Sequence, residues 1–231
     1  MKNKPRFAAL VPMRHSSERV PGKNYRCFAG RPLYHHVIET LRSSGCFETI
    51  VIDTDSLFIK TDAEELFPDV VVLDRPQHLR DGSIPMNDVL LHTTGRIDAD
   101  YYLQTHSTNP LLTAATVNRA VSTFLDHQNT NDSLFSVKRL QTRLWDASGR
   151  PLNHDPDKLI RTQDLPPVFE ENSCIYLFSR QTLQKRGNRI GAHPLLFEMD
   201  TFESWDIDEE SDFRLAELLY LNRNNLGGTL T

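Results

Sequence analysis

Short, wholly apolar segments alternate with amphipathic ones along most of this chain, and no other feature restricts its fold as much. Residues 7–13 (FAALVPM) form an apolar run that ends in Pro12 and a polar loop, as a strand buried on both faces does. Leu33, Val37, Ile38 and Leu41 then recur at helical spacing, with Pro32 at the opening position and Gly45 just past the end. That pattern predicts a helix of about three turns. The order repeats: a strand at 47–53 and a helix at 56–66 stopped by Pro68, a strand at 70–73 and a helix at 86–97, a strand at 101–105 and a helix at 113–126. Strands joined through helices imply right-handed crossovers. The expected fold class is therefore α/β: Rossmann-like, with a mostly parallel central sheet, helices on both faces, and ligands beyond the C-terminal ends of the strands.

Residues 134–140, 173–178 and 195–199 complete the strand candidates and 210–222 the last helix, while Gly227-Gly228 mark an end expected to fray. Residues 141–168 break the rhythm, with Gly149, Pro151, Pro156, Pro166 and Pro167 among few apolar residues. An irregular stretch of that length predicts a lid, a binding loop or a dimerisation arm. The whole chain, 1–231, makes one large domain with this excursion, since domains hold roughly 100–200 residues.

Composition removes several function classes. The longest apolar stretches fall far short of the roughly 20 residues of a membrane helix, and Lys2, Lys4 and Arg6 precede too short a run for a signal peptide. Cys27, Cys46 and Cys174 are odd in number and widely spaced, unlike a disulfide framework or a zinc site. A reducing, cytoplasmic location is expected. The net charge of −5 and the lack of any Lys/Arg run exclude nucleic acid and membrane surfaces as expected partners. Against that acidic background Arg14, Arg19, Lys23, Arg26 and Arg31 crowd one stretch, which suggests a local anion site.

That stretch contains the loop PMRHSSERVPGKN at 12–24, directly after the first strand. It has neither the GxxxxGK[ST] of a Walker loop nor the GxGxxG of a dinucleotide site. Its cations, the hydroxyls of Ser16 and Ser17 and its backbone N–H groups suit a polyphosphate. A solvated basic loop is the alternative.

The string ALVPMRHSSERVPGKN resembles the signature that opens the CMP-sugar-acid synthetases, the acylneuraminate and 3-deoxy-octulosonate cytidylyltransferases, commonly ALIPARxGSKxIPxKN. Arg14, Ser17, Pro21, Lys23 and Asn24 match it. The likeness, closest to the acylneuraminate type, continues in order. VLDRP at 72–76 with LRD at 79–81 resembles RPxxLAxD, and YLQ at 102–104 with STNPL at 107–111 resembles LLQPTSPL. ENSCIY at 171–176 resembles xNGAIY, and SWDID at 204–208 with Asp212-Phe213 resembles SxDIDTxxD. Glu18 stands where the family has Lys, Ser16 and Ser173 replace glycines, and the QPTSP segment is two residues longer.

Such enzymes activate a 2-keto sugar acid with CTP, releasing pyrophosphate and a CMP-sugar. The resemblance implies Arg14 and Lys23 on the triphosphate, aided by Ser17 and Arg19, and Asn24 on cytosine or ribose. Arg75 and Asp81 would also contact nucleotide, while Gln104 and Asn172 would line the sugar side. Asp206 and Asp208 would bind Mg²⁺. The excursion would join two subunits as a homodimer and bring Arg143, Arg161 or Gln163 of one toward the acid's carboxylate in the other. Sialic, legionaminic and pseudaminic acids are the expected acceptors. An eight-carbon acid or another nucleotide is the enzymatic alternative, and a catalytically idle nucleotide binder, suggested by Glu18, is the other.

The residues permit their own reading of the carboxylates. Asp206 and Asp208, two apart in an extended segment, point the same way, and Mg²⁺ takes one or two carboxylates with phosphates and water. With Glu209 and Glu210 they also suit the cap of a helix near 210. Adjacent His35-His36 cannot share a metal on one helix face and are expected on its surface. Trp145 and Trp205 are read as packing or interface residues, and Cys27 and Cys174 as buried small hydrophobes.

Overall fold

The computed structural model describes residues 4–226, so the expected fraying at Gly227-Gly228 lies outside the described residues. The chain opens with β1 (Phe7–Met13), a two-residue hairpin of β2 (Cys27–Phe28) and β3 (Arg31–Pro32), and α1 (Leu33–Ser44). Then come β4 (Thr49–Thr54), α2 (Leu57–Leu66), β5 (Val71–Asp74), α3 (Met86–Arg96), β6 (Tyr101–Gln104) and α4 (Ala114–His127). The C-terminal part holds β7 (Ser133–Leu140), β8 (Val168–Phe178), α5 (Arg180–Arg186), β9 (Pro194–Glu198) and α6 (Glu210–Leu226).

Seven strands form one sheet in the order β5-β4-β1-β6-β8-β7-β9. β5, β4, β1 and β6 are mutually parallel, β8 runs antiparallel to β6 and β7, and β9 pairs parallel with β7. The mostly parallel sheet is the one expected. The period of 2 along β1 divides its side chains between two cores. Phe7, Ala9, Val11 and Met13 meet α1, α2 and α4 on one face. Ala8 and Leu10 meet Leu90 of α3 and Leu183 of α5 on the other. A third cluster joins Val20, Phe28 and Leu33 to Ile207, Phe213 and Ala216, so α6 packs on the hairpin and the loop after β1.

Local signals explain the element ends. Gly45 closes α1 at φ 65°, where only glycine is unstrained. Ser56, Thr113 and Ser179 cap α2, α4 and α5 through side-chain oxygens that accept from Ile59, Thr116 and Thr182 N–H.

The structure corrects several expectations. Pro32 precedes α1 as its N-cap, with ψ 138°, instead of forming its first turn. β8 begins at Val168, five residues before 173, because its first part ladders with β7 along the base of the excursion. Three elements, α5, β2 and β3, are too short to carry a periodic signal. His35 and His36 are buried: His35 Nε2 reaches Asp62 Oδ2 at 2.6 Å and His36 Nε2 donates to Phe28 C=O at 2.9 Å. Helix α1 is covered by α2 over His35 and by the hairpin over His36, whereas Arg42 and Ser43 further along it stay exposed. Cys174 is buried as expected, but Cys27 is exposed at the hairpin. Within the excursion, residues 145 and 151 form an isolated bridge and Trp145 stacks edge-on to His154 at 4.8 Å.

Candidate active site

At the C-terminal end of β1 the chain encloses a cavity of about 630 Å³. Its first wall is the loop after β1. Gly22 adopts φ 65° and a Cβ there would meet the Tyr25 ring at 2.9 Å, so the turn into Lys23 requires glycine. His15 fastens the loop's other end, its N–H donating to Asp55 Oδ1 at 2.7 Å and its ring stacking on Tyr25 at 5.3 Å. Asn24 is buried and crosses the loop: its amide donates to Arg14 C=O and its oxygen accepts from Ser107 Oγ, both at 2.7 Å. Ser17 Oγ accepts from Val20 N–H at 3.4 Å. Lys23 Nζ donates to Ile207 C=O at 2.5 Å. Burial draws its pKa down, opposed by Asp206 and Asp208.

The second wall follows β5. Arg75 lines the cavity, yet its guanidinium turns inward: Nε donates to Asp53 Oδ1 at 2.6 Å and both side chains are 2% exposed. Asp53 Oδ2 accepts from Thr93 Oγ1 at 2.7 Å, completing a buried polar cluster. Asp81 is fixed by the Ser83 hydroxyl and N–H at 2.6 and 2.8 Å, which hold its pKa below the usual range. Gly82 leaves room for the Arg14 guanidinium; a Cβ there would lie 2.5 Å from Nη1.

The third wall comes from the far side of the sheet and from the approach to α6. It comprises His106, Ser107, Thr108, Ser173, Arg189, Asp206 and Asp208. Ser173 holds φ 57°, a left-handed conformation unfavourable to residues with a side chain, at the position of the family motif's glycine. Burial, then the Arg189 and Lys23 charges, push the His106 pKa down to about 3, so the imidazole is neutral.

Of the residues expected at the site, Arg14, Ser17, Arg19, Lys23, Asn24, Arg75, Asp81, Asp206 and Asp208 line this cavity, with Glu18 among them. Gln104 does not. It is fully buried behind the wall, bonded to His106 Nε2 at 2.9 Å and to Arg189 Nη1 at 2.5 Å. Asn172 lines an adjoining cavity of about 360 Å³ that shares Ser173, Asp206 and Asp208 with the first. Its oxygen accepts from Ser136 Oγ at 2.5 Å and Cys174 N–H at 3.2 Å.

Helix α6 is not capped by the acidic residues expected to do so. Asp212 takes the Glu209 and Asp208 N–H groups at 2.8 and 3.1 Å, as a carboxylate in the first turn can. Glu210 instead grips Arg26 at 2.5 and 2.9 Å. Asp206 and Asp208 are thereby spared. Arg19 pairs with Asp208 at 2.7 Å, whereas Asp206 Oδ1 is buried with no hydrogen-bond partner. Burial and the neighbouring Asp208 charge raise the Asp206 pKa, against the pull of the Thr108 hydroxyl and the Lys23 charge. The described residues contain no cluster of three or more His, Cys, Asp or Glu arranged as a metal cage. An orphaned buried carboxylate oxygen beside a second carboxylate and a basic loop fits Mg²⁺, which draws its other ligands from phosphate and water.

His106, Ser107, Thr108 and Arg189 were not singled out from the sequence. The first three lie inside the segment likened to LLQPTSPL; Arg189 lies in none of the likened segments, and no local signal marks it.

A mostly parallel α/β sheet whose first strand feeds a basic loop opposite a carboxylate pair suits nucleotidyl transfer. The cytidylyltransferase family profile matches residues 8–226, and the chain belongs to that family. It is 30% identical over 239 aligned positions to the CMP-N,N'-diacetyllegionaminic acid synthase of Legionella pneumophila, covering 96% of this chain and 99% of that one. It is 28% identical to N-acylneuraminate cytidylyltransferase A of Danio rerio, covering 91% of this chain but spanning only 50% of that protein. Among solved structures, a CMP:2-keto-3-deoxy-manno-octonic acid synthetase complexed with CTP shares the fold with a TM-score of 0.72 at 14% identity, covering 94% of this chain and 99% of that one. No described helix is long and apolar enough to cross a membrane.

Proposed function

We propose that this cavity couples CTP to a nonulosonic 2-keto sugar acid, of the sialic, legionaminic or pseudaminic type, giving the CMP-sugar and pyrophosphate. The observation that carries the reading is the opposition, across one cavity, of the β1-loop cations and the buried Asp206 carboxylate, whose Oδ1 has no hydrogen-bond partner. The names of the Legionella and Danio relatives support the acceptor class.

In such a transfer the anomeric oxygen of the acid bonds to the α-phosphorus as the bond to the β-phosphate oxygen breaks, and the hydroxyl proton passes to solvent. Phosphoryl transfer of this kind depends on positioning and charge neutralisation without a protein nucleophile. Arg14 and Lys23 would neutralise the triphosphate. Asn24 would hold the nucleoside beside the loop that it braces, and Asp81 would border it from the second wall. Arg75 serves first to satisfy Asp53 and shapes the wall from behind. Asp206 and Asp208 would hold Mg²⁺, which when bound supplies further charge neutralisation at the phosphates. Arg19 is poised between the two groups, since it now pairs with Asp208.

We extend the reading to a homodimer built on the excursion, because Trp145, Leu152, Leu159 and Ile160 stand exposed there at 50, 63, 88 and 44%, more apolar surface than one segment usually leaves to water. Pyrophosphate release with Mg²⁺, each of the four nucleoside triphosphates and a panel of 2-keto sugar acids tests the reaction. Release with CTP and one nonulosonic acid is expected; release with an eight-carbon acid only, or none while CTP still binds, would overturn the acceptor assignment.

A further inference from the structure

Arg189 is a cavity-lining cation that the preceding mechanism leaves without a task. It stands on a fixed loop. Its own N–H donates to Asn87 Oδ1 of α3 at 3.2 Å, and Gly191, Ala192 and His193 are pinned to Ser133 and Asp132 at 2.8–2.9 Å. Gly191 permits this approach, since a Cβ would sit 2.1 Å from Asp132 Oδ1. The guanidinium carbon rests 3.5 Å from the centroid of the Tyr176 ring, and Nη1 donates to Gln104 Oε1 at 2.5 Å.

Both supports are uncharged. Burial pulls the Arg189 pKa below the ordinary arginine value, and Glu171, the nearby carboxylate, acts on it only through space. A half-buried guanidinium held on a ring face and an amide, with no carboxylate in contact, is a positioned cation open to an anionic ligand. Gln104 also donates its Nε2–H to His106 Nε2 at 2.9 Å, which sets the amide's orientation and leaves the imidazole proton on Nδ1. Gln104 is thus a positioning residue for the two groups that do face the cavity.

The ligand group that meets this cation follows from placement. Arg14, Arg19 and Lys23 all issue from the β1 loop, and Arg14 lies against Gly82 on the β5 side. Arg189 stands across the cavity, over β6 and β8, in a sheet ordered β5-β4-β1-β6-β8. The arginines of the excursion are engaged in their own loop: Arg161 forks onto Asp164 at 2.7 and 3.1 Å, and Arg143 donates to Ile160 C=O at 2.5 Å. We infer that Arg189 receives the carboxylate of the acceptor acid within the same chain, with Gln104 and Tyr176 positioning its guanidinium. The inference rests on the acceptor reading proposed above.

The experiment compares the full-length protein with Arg189→Met, Arg189→Lys and Gln104→Leu. Pyrophosphate release is measured with CTP, Mg²⁺ and the panel of acids and their methyl esters, and CTP affinity is titrated separately without acid. Arg189→Met should raise KM for the acid about 10–100-fold, the scale of a lost charge-assisted fork, with CTP affinity unchanged and the preference for acid over ester abolished. Arg189→Lys should recover part of that preference, keeping the charge without the fork. Gln104→Leu should weaken it less, a change that a merely structural role would not produce. An unchanged KM for the acid, or weakened CTP binding in Arg189→Met, overturns the inference and leaves the acceptor reading standing. A wild-type protein that binds CTP yet uses no acid overturns both.

Discussion

The loop after β1 carries its cations within residues 14–23, whereas the wall opposite is gathered from residues 106–108, 173, 189 and 206–208. The backbone of the first wall is shaped locally, by Gly22, Ser17 and the Asn24–Arg14 bond, while Ser107, Ile207 and Asp208 hold its side chains from across the cavity. The second depends on the sheet's antiparallel part, on α5 and on the start of α6. Nucleotide-facing charge can therefore be written locally, while the groups facing the acceptor stand only where distant segments pack. The two walls should fail differently when altered.

The largest effect is expected where the two kinds of wall meet the core. Arg75→Met leaves Asp53 buried and unpaired, which should cost about 3–5 kcal/mol, read by urea unfolding. Asp53→Asn added to it should restore much of the loss. If Arg75→Met instead keeps full stability and raises KM for CTP, Arg75 belongs to the nucleotide wall and the two walls do not fail separately.

Asp206→Asn should lower kcat about 10²–10³-fold, the scale of removing one electrostatic stabiliser, while Tm stays at or above that of the wild type. Burial already disfavours the Asp206 charge, so its removal relieves a cost. A fall in Tm with kcat retained would make Asp206 a structural member of the assembled wall.

Stability against pH gives the smaller test. The His36 and His106 pKa values lie at about 4 and about 3, below the ordinary 6.5. The unfolded chain binds protons first, so stability is full above about pH 6.5 and declines toward pH 4, by of order 3 kcal/mol for each imidazole. Calorimetric Tm from pH 4 to 7 should show this slope, and His36→Gln and His106→Gln should each flatten it. CTP should reduce the His106 share alone, because an anion beside the imidazole favours its charged form. A slope untouched by either substitution would refute the assignment.

Much of the fold was legible. β1 falls on the residues expected, and the helices begin and end near Ser56, Thr113 and Gly45 because caps and periodicity are local. His35 and His36 were misplaced because burial on this helix depends on α2 and the hairpin, which no pattern within α1 announces. At the site, Arg14, Lys23 and the Asp206–Asp208 pair could be singled out by loop composition and by likeness to a family motif. The reach of Arg189 to Gln104, 85 residues away, could not.

The sequence by itself determined the alternation of strand and helix, and with it the parallel sheet and the basic loop at its rim, since periodicity and turn chemistry act over a few residues. The tertiary structure alone decided which charges remain free. Asp212 caps α6 and Asp53 absorbs Arg75, leaving Asp206 and Arg189 in the cavity without an ion-pair contact. The reason is physical: whether a charged side chain is spent or available depends on the partners that folding brings within about 3 Å, and those partners lie far along the chain.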